Sequence, residues 1–165
     1  MSITSTVPGA ITTLLGYFAD VASANPSLDV GVYSGLPIAN IKNNYLSIGE
    51  WETGSVLSGY RQDWVGFPAS ASPKLEDYSI NCVARAWDGS SDTTAIAQRF
   101  TDAFTLLDGV MGCLQADPGA SGSITPSGTW QVVGVDNIAS GPLGGKGFGV
   151  LLSFEVQVIN VRITS

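Results

Sequence analysis

Near the C-terminal end, Phe148, Val150, Leu152, Phe154, Val156 and Val158 alternate with Gly149, Leu151, Ser153, Glu155 and Gln157, and the apolar positions then move by one to Ile159, Val161 and Ile163. A period of two sustained that long can bury its apolar side only in a sheet that is covered on that face. The change of parity predicts a β-bulge near Asn160, where one extra residue would turn the strand over. Trp130 to Val135 reads as a partner strand and Ser140 to Gly147 as the loop between them, so the two runs form a long β-hairpin. At ~3.3 Å per residue such a strand outruns the width of a small domain, and part of the hairpin is expected to project beyond the body.

The rest of the chain must supply the cover and the neighbouring strands. Thr6 as a cap, Pro8 in the first turn and a stripe of Ile11, Leu14, Leu15, Phe18 and Ala22 predict a first helix that ends at Asn25-Pro26. Val30 to Tyr33 and Tyr45 to Trp51 are short, rich in β-formers and bounded by turn residues, and both predict strands. Ser55 to Pro73 reads as a strand followed by a loop, since Gly59, Gly66, Pro68 and Pro73 interrupt any period. From Glu76, Tyr78, Ile80, Cys82, Ala84 and Ala86 alternate as a half-buried strand should, until Trp87-Asp88-Gly89 turns the chain. A second helix follows with Ser91 or Asp92 as its cap and Ile96, Phe100, Ala103, Phe104, Leu107, Val110, Met111 and Leu114 on one face; Asp117-Pro118-Gly119 stops it. Ala120 to Gly128 reads as a flexible Gly, Ser and Pro-rich connector. With 165 residues the chain fits one domain, residues 1–165. The expected fold class is α+β: one mainly antiparallel sheet, two helices packed on one face and a long C-terminal β-hairpin.

Charge is what sets this composition apart. Charged residues make up 13% of the chain, against roughly 25% in an ordinary soluble domain, and the mean hydropathy is +0.24. Two readings fit a surface so poor in charge, a monomer kept soluble by Ser, Thr, Asn and Gly or burial against partner subunits, and the second is favoured. The net charge of −7 opposes adhesive binding to nucleic acid, which depends on Lys and Arg displacing counterions from phosphates.

Catalytic patterns fail one by one. There is no histidine, which removes the Ser-His and Cys-His nucleophile pairs and most zinc sites. Asp88-Gly89-Ser90-Ser91-Asp92 spaces oxygens like a calcium loop, but Thr93 and Arg99 stand where the glycine and the bidentate glutamate belong. Gly144-Gly145-Lys146 lacks the first glycine and the hydroxyl residue of a phosphate loop, and Gly119 to Ser123 misses the last glycine of a nucleophile elbow. Glu50, Glu52, Glu76 and Asp77 read as solvated edge charges. Cys82 and Cys113 lie in apolar patterns without paired spacing and are expected to be buried free thiols. No enzymatic activity, metal or cofactor is expected. Val7 to Ala24 lacks the basic n-region of a secretory signal, no run is long enough to span a membrane, and cytosolic synthesis is expected.

Read in order, the first helix, Tyr45-Leu46-Ser47-Ile48-Gly49, Gln62-Asp63-Trp64 and Glu76-Asp77-Tyr78-Ser79-Ile80-Asn81-Cys82-Val83-Ala84 resemble the tail terminator family of long-tailed bacteriophages. Trp87-Asp88-Gly89, Ala97-Gln98-Arg99-Phe100, Leu106-Leu107, Leu114-Gln115-Ala116-Asp117-Pro118 and the final alternating strand are similar in kind and order, so the resemblance covers nearly the whole chain. It departs from the family in its long helix, where Arg99 is the one arginine instead of one of a run. The resemblance implies a structural virion protein, assembled in the host cytoplasm. It implies a homo-oligomeric ring, usually a hexamer, that caps the tail tube, stops its polymerisation and joins it to the connector at the neck, with DNA passing through the lumen. Partners would be copies of itself, the tail tube protein and the neck connector, with no membrane and no sequence-specific DNA contact. A net negative chain suits such a conduit, because like charge lets DNA slide. Candidate interface residues are Trp51, Tyr60, Arg61, Trp64 and Phe67 in one segment, and Pro142, Leu143 and Lys146 at the hairpin tip. The alternatives are another neck or tail tube subunit, such as a head completion or tube protein, and, from a different class, a small-molecule binding module.

Overall fold

The computed structural model describes residues 5–35, 37–50, 53–64, 74–89, 93–124, 128–141 and 147–163, and the side chains of these except residues 64, 93, 136–141 and 160. Helix α1 runs from Val7 to Ala24 with proline in its first turn, where the missing N–H costs nothing. Ala10, Leu14, Phe18 and Val21 are its buried residues, while Ile11, Leu15 and Ala22 pack against the core from its margin. The stripe is thus rotated slightly from the expected one, toward the side where Ala10 lets the backbone come close. At the far end the Asn25 side chain donates to the Val21 carbonyl, and its backbone N–H to that of Ala22.

Strands β1 (Val30–Tyr33), β2 (Asn44–Ile48), β3 (Leu57–Trp64), β4 (Lys74–Asp88), β5 (Thr129–Gly141) and β6 (Phe148–Ile163) form one sheet, and α2 (Thr93–Ala116) follows β4. The order is β1-β2-β4-β6-β5, with β3 also paired to β4. Only β1 and β2 run parallel; every other pairing is antiparallel. β6 occupies one edge of β4 along its length, so β2 and β3 share the other edge: β3 lies beside Lys74–Ile80 and β2 beside Cys82–Arg85. Both helices pack on one face, closing a core with Ile80, Cys82, Ala84, Val150, Leu152, Phe154 and Val156. The fold is the α+β arrangement expected from the periodicities.

The predicted bulge is present. Glu76 pairs with Val161 and Tyr78 with Val158, so two steps on β4 answer three on β6, and the extra residue falls at Ile159–Asn160. Among the described residues the hairpin does not outrun the sheet. β4 has 15 residues and pairs with β6 from Lys74 opposite Ile163 to Asp88 opposite Phe148, so the long strand has an equally long neighbour. β5 is longer than its alternation indicated, because register shifts at Val132/Val135 and Val135/Asn137 break the period of two. β2 ends at Ile48, before Trp51: Gly49 takes φ +122, a conformation that favours glycine, and a turn closes from Glu50 to Gly54.

The described part of the connector after α2 is packed. Ala120 and Ile124 are fully buried, and the Asp117 carboxylate accepts hydrogen bonds from the backbone and side chain of Ser121. A Cβ on Gly128 would lie 2.3 Å from the Ile124 carbonyl oxygen and 2.7 Å from a Val161 methyl. Gly128→Ala is therefore expected to destabilise the fold by about 1–3 kcal/mol, the usual cost of overpacking, measured by urea denaturation.

Candidate assembly surfaces

The sheet presents two unlike ends. At one lies β3, which carries the described part of the first candidate segment. Tyr60 and Gln62 turn to the helix-covered face and Arg61 to the other, so the strand's alternation separates Tyr60 from Arg61 instead of bringing them into one patch. Tyr60 is 46% exposed, and its ring tilts against that of Tyr78 with centroids 6.3 Å apart. Arg61 meets Asp63 at 2.5 Å on the open surface, where such a pair contributes ~1 kcal/mol at most. Trp51, Phe67, Pro142, Leu143 and Lys146 lie outside the described residues, as does the side chain of Trp64.

Beneath Tyr60 sits a residue whose sequence reading must be corrected. Glu76 is fully buried. Its carboxylate accepts hydrogen bonds from Ser5 Oγ at 2.6 Å, Thr6 N at 2.9 Å, Thr6 Oγ1 at 2.6 Å, Tyr60 Oη at 3.0 Å and Gln62 Nε2 at 3.3 Å. Thr6 occupies the N-cap position of α1, but its hydroxyl serves Glu76 and Tyr78 instead of the helix. Burial pushes the Glu76 carboxyl upward, but the hydrogen bonds from Ser5, Thr6 and Tyr60 outweigh it and hold the group below the usual carboxylate range. Burial with the Thr6 hydrogen bond opposing it raises the neighbouring Tyr78 phenol to about 12, which keeps it a neutral partner.

A polar cavity of about 390 Å³ opens where the β1–β2 loop meets the start of α2, lined in part by Asp29, Lys42, Asn44, Trp87, Asp88 and Arg99. Lys42 Nζ is 2.6 Å from Asp29 and Arg99 Nη2 is 3.0 Å from Asp102, so these charges are engaged within the chain. Asn44 ties the wall together, donating to the Leu28 carbonyl and accepting from Trp87 N at 3.2 Å. Cys82 is buried and Cys113 partly so, both are free, and burial pushes both thiols up, away from reactivity.

Of the exposed large apolar residues, Tyr60 was named from sequence, while Ile38, Ile41 and Val133 were not. Ile38 is 96% exposed, Val133 49%, and Ile41 also faces solvent. The available signal was the run Pro37-Ile38-Ala39-Asn40-Ile41, apolar yet placed in a loop between two strands.

The fold is an α+β domain whose exposed large apolar residues, among the described ones, are Ile38 and Ile41 in the β1–β2 loop, Tyr60 on β3, Phe104 on α2 and Val133 on β5. No protein-family model matches the chain, and no curated protein matches it in sequence. Among solved structures the chain is similar to one from the "Virion of native gene transfer agent (GTA) particle", at 12% identity over 91% of this chain and 92% of that chain, with a TM-score of 0.35.

Proposed function

We propose that this chain is a structural virion protein that acts as a tail terminator, closing with copies of itself into a ring that caps a tail tube and carries no catalytic activity or cofactor. The observation that carries this reading is the outer surface of the helix layer. On α1 the exposed residues are Pro8, Thr12, Gly16, Ala19, Asp20, Ser23 and Ala24. On α2, among the described side chains, they are Thr94, Ala97, Gln98, Thr101, Phe104, Thr105, Asp108, Gly112, Gln115 and Ala116. Asp20 and Asp108 are the charged members of this set, where an isolated soluble domain would carry charge at roughly a quarter to a third of its surface positions. Small side chains without charge lose little on desolvation and let a neighbouring backbone approach closely. The order of sequence motifs supplies the class of assembly, and the acidic composition suits a lumen through which DNA slides.

Sizing chromatography with light scattering is expected to give the mass of a closed ring. Addition of the protein to growing tail tubes is expected to stop their elongation. Deletion of residues 142–146, the hairpin tip, should leave a folded monomer; a deletion variant that still migrates as an oligomer would remove the tip from the interface. Wild-type protein that stays monomeric at high concentration and leaves tube length unchanged would end the tail terminator reading. A label found within the tube or inside the head, instead of at the neck, would favour a tube or head completion subunit.

A further inference from the structure

We infer that neighbouring copies stack face to back, the helix layer of one copy lying on the helix-free sheet face of the next, so that Asp20 and Asp108 of the first meet Arg85 of the second; this rests on the ring reading above. A contact that joins unlike surfaces of identical subunits is heterologous, and such contacts generate rings when the rotation closes. The ends of the strand order offer less. β1 has four residues and register shifts interrupt β5, so neither end presents a long unbroken strand to continue a ladder into the next copy.

The helix-free face carries a cation that the chain leaves unpaired. Ala84 and Ala86 belong to the core under the helices, so Arg85 between them points to the other side of the sheet. There its guanidinium lies 5.5 Å from the centroid of the Tyr45 ring. The side chain is half-buried, and its Nε is buried with no acceptor among the described residues. Lys42, Arg61 and Arg99 each hold a carboxylate, whereas no described carboxylate pairs with Arg85. Partial burial costs an arginine hydration that an incoming carboxylate would offset. Stacking on Tyr45 has already fixed the guanidinium, so it loses little further freedom on pairing. Arg162 is exposed on the same face, next to the core residue Val161. Glu155 also stands on this face, opposite Asn81 and four positions along β6 from the Leu151 that pairs with Arg85. At ~3.3 Å per residue that is ~13 Å, beyond the ~8–10 Å over which salt leaves such charges coupled.

The helix layer carries the complement. Asp20 and Asp108 are exposed, and neither enters an ion pair among the described residues. A Cβ on Gly109 would lie 2.9 Å from a Val21 methyl, so α1 and α2 touch there. Asp20 and Asp108 immediately precede these two residues and therefore flank the crossing. Neither helix exposes a Lys or Arg among its described side chains, which leaves the two carboxylates without a local counter-charge. A guanidinium brought by the next copy supplies it, and the small uncharged side chains around them let the two layers approach.

The test exchanges the charges in full-length chains. Arg85→Glu puts a carboxylate on the sheet face, and Asp20→Lys combined with Asp108→Lys puts cations on the helix layer. Each variant alone sets like charges against each other and is expected to associate at least ~100-fold more weakly than wild type by light scattering. An equimolar mixture is expected to recover assembly as a ring of alternating copies, because every junction then joins a carboxylate to a cation. The two lysines replace exposed side chains, so that variant decides the matter at an unchanged thermal midpoint even where Arg85→Glu lowers its own. Wild-type association in the lysine variant, or a mixture of folded chains that stays monomeric, would overturn this contact while leaving the ring reading intact. Wild-type protein that forms no ring alone or on tail tubes would overturn both.

Discussion

Replacing Glu76 with alanine is expected to lower unfolding stability by about 3–5 kcal/mol in urea denaturation, since buried donors left without an acceptor cost about 1–3 kcal/mol each. The Thr6 backbone N–H loses its 2.9 Å contact, and the hydroxyls of Ser5 and Thr6 lose theirs at 2.6 Å. The damage would not be confined to stability. Glu76 is where the start of α1, strand β3 through Tyr60 and Gln62, and strand β4 are tied together, so alanine should also raise amide exchange of residues 5–10 and 57–63 above that of the central strands.

The same carboxylate gives the fold a pH dependence of known sign. Its folded pKa lies below the unfolded value of about 4.3. The unfolded chain therefore binds the proton first on acidification, and the stability from this group is complete above about pH 5 and lost as pH falls through the folded pKa. Glu76→Gln keeps the shape and removes the titration. Its stability should change less than the wild type's between about pH 5 and pH 3, and equal slopes in the two proteins would remove Glu76 as the source.

This carboxylate also marks the limit of what linear pattern conveys. β6 and α1 were legible because each buries one face and its period declares it, and the bulge in β6 was legible as a change of parity. Glu76 sits on the buried parity of β4, between positions that alternate correctly, but its acceptors' partners arrive from Ser5 and Thr6, some 70 residues away. No local rule links them, so the charge read as solvated. The length of β5 was hidden for a different reason, since two register shifts interrupt its alternation. Ala120 to Gly128 looked like a linker because Gly, Ser and Pro usually are, while Ala120 and Ile124 are buried, Gly128 abuts Val161 and Ser123 abuts α1 at Gly9. Of the candidate interface residues, Tyr60 and Arg61 fall on the described part of β3, on opposite faces. Ile38 was passed over because a single exposed isoleucine in a loop has no periodicity to declare it.

Tyr45→Ala is expected to cost about 3–5 kcal/mol, the range for emptying a buried aromatic site, although Tyr45 lies on the sheet face that the helices leave uncovered. Its ring is fully buried with Val83 and Leu151, edge-on to Tyr33 at 5.7 Å and under the Arg85 guanidinium at 5.5 Å. Tyr45→Phe should fall within about 1 kcal/mol of wild type, because the buried hydroxyl makes no hydrogen bond among the described residues. A Phe variant as damaged as the Ala variant would mean that the hydroxyl, and not the ring, holds this face together. The ring matters beyond its own burial. Tyr33 leans on Tyr45 and its hydroxyl braces the loop that holds Ile38 outward. Tyr45→Ala should therefore speed amide exchange in residues 38–42 even at temperatures where the domain stays folded, whereas a core change of equal cost on the helix side, such as Leu106→Ala, should leave exchange in that loop unchanged. Amide exchange across a temperature series, with both variants compared at matched fractions folded, separates loss of the brace from loss of the fold.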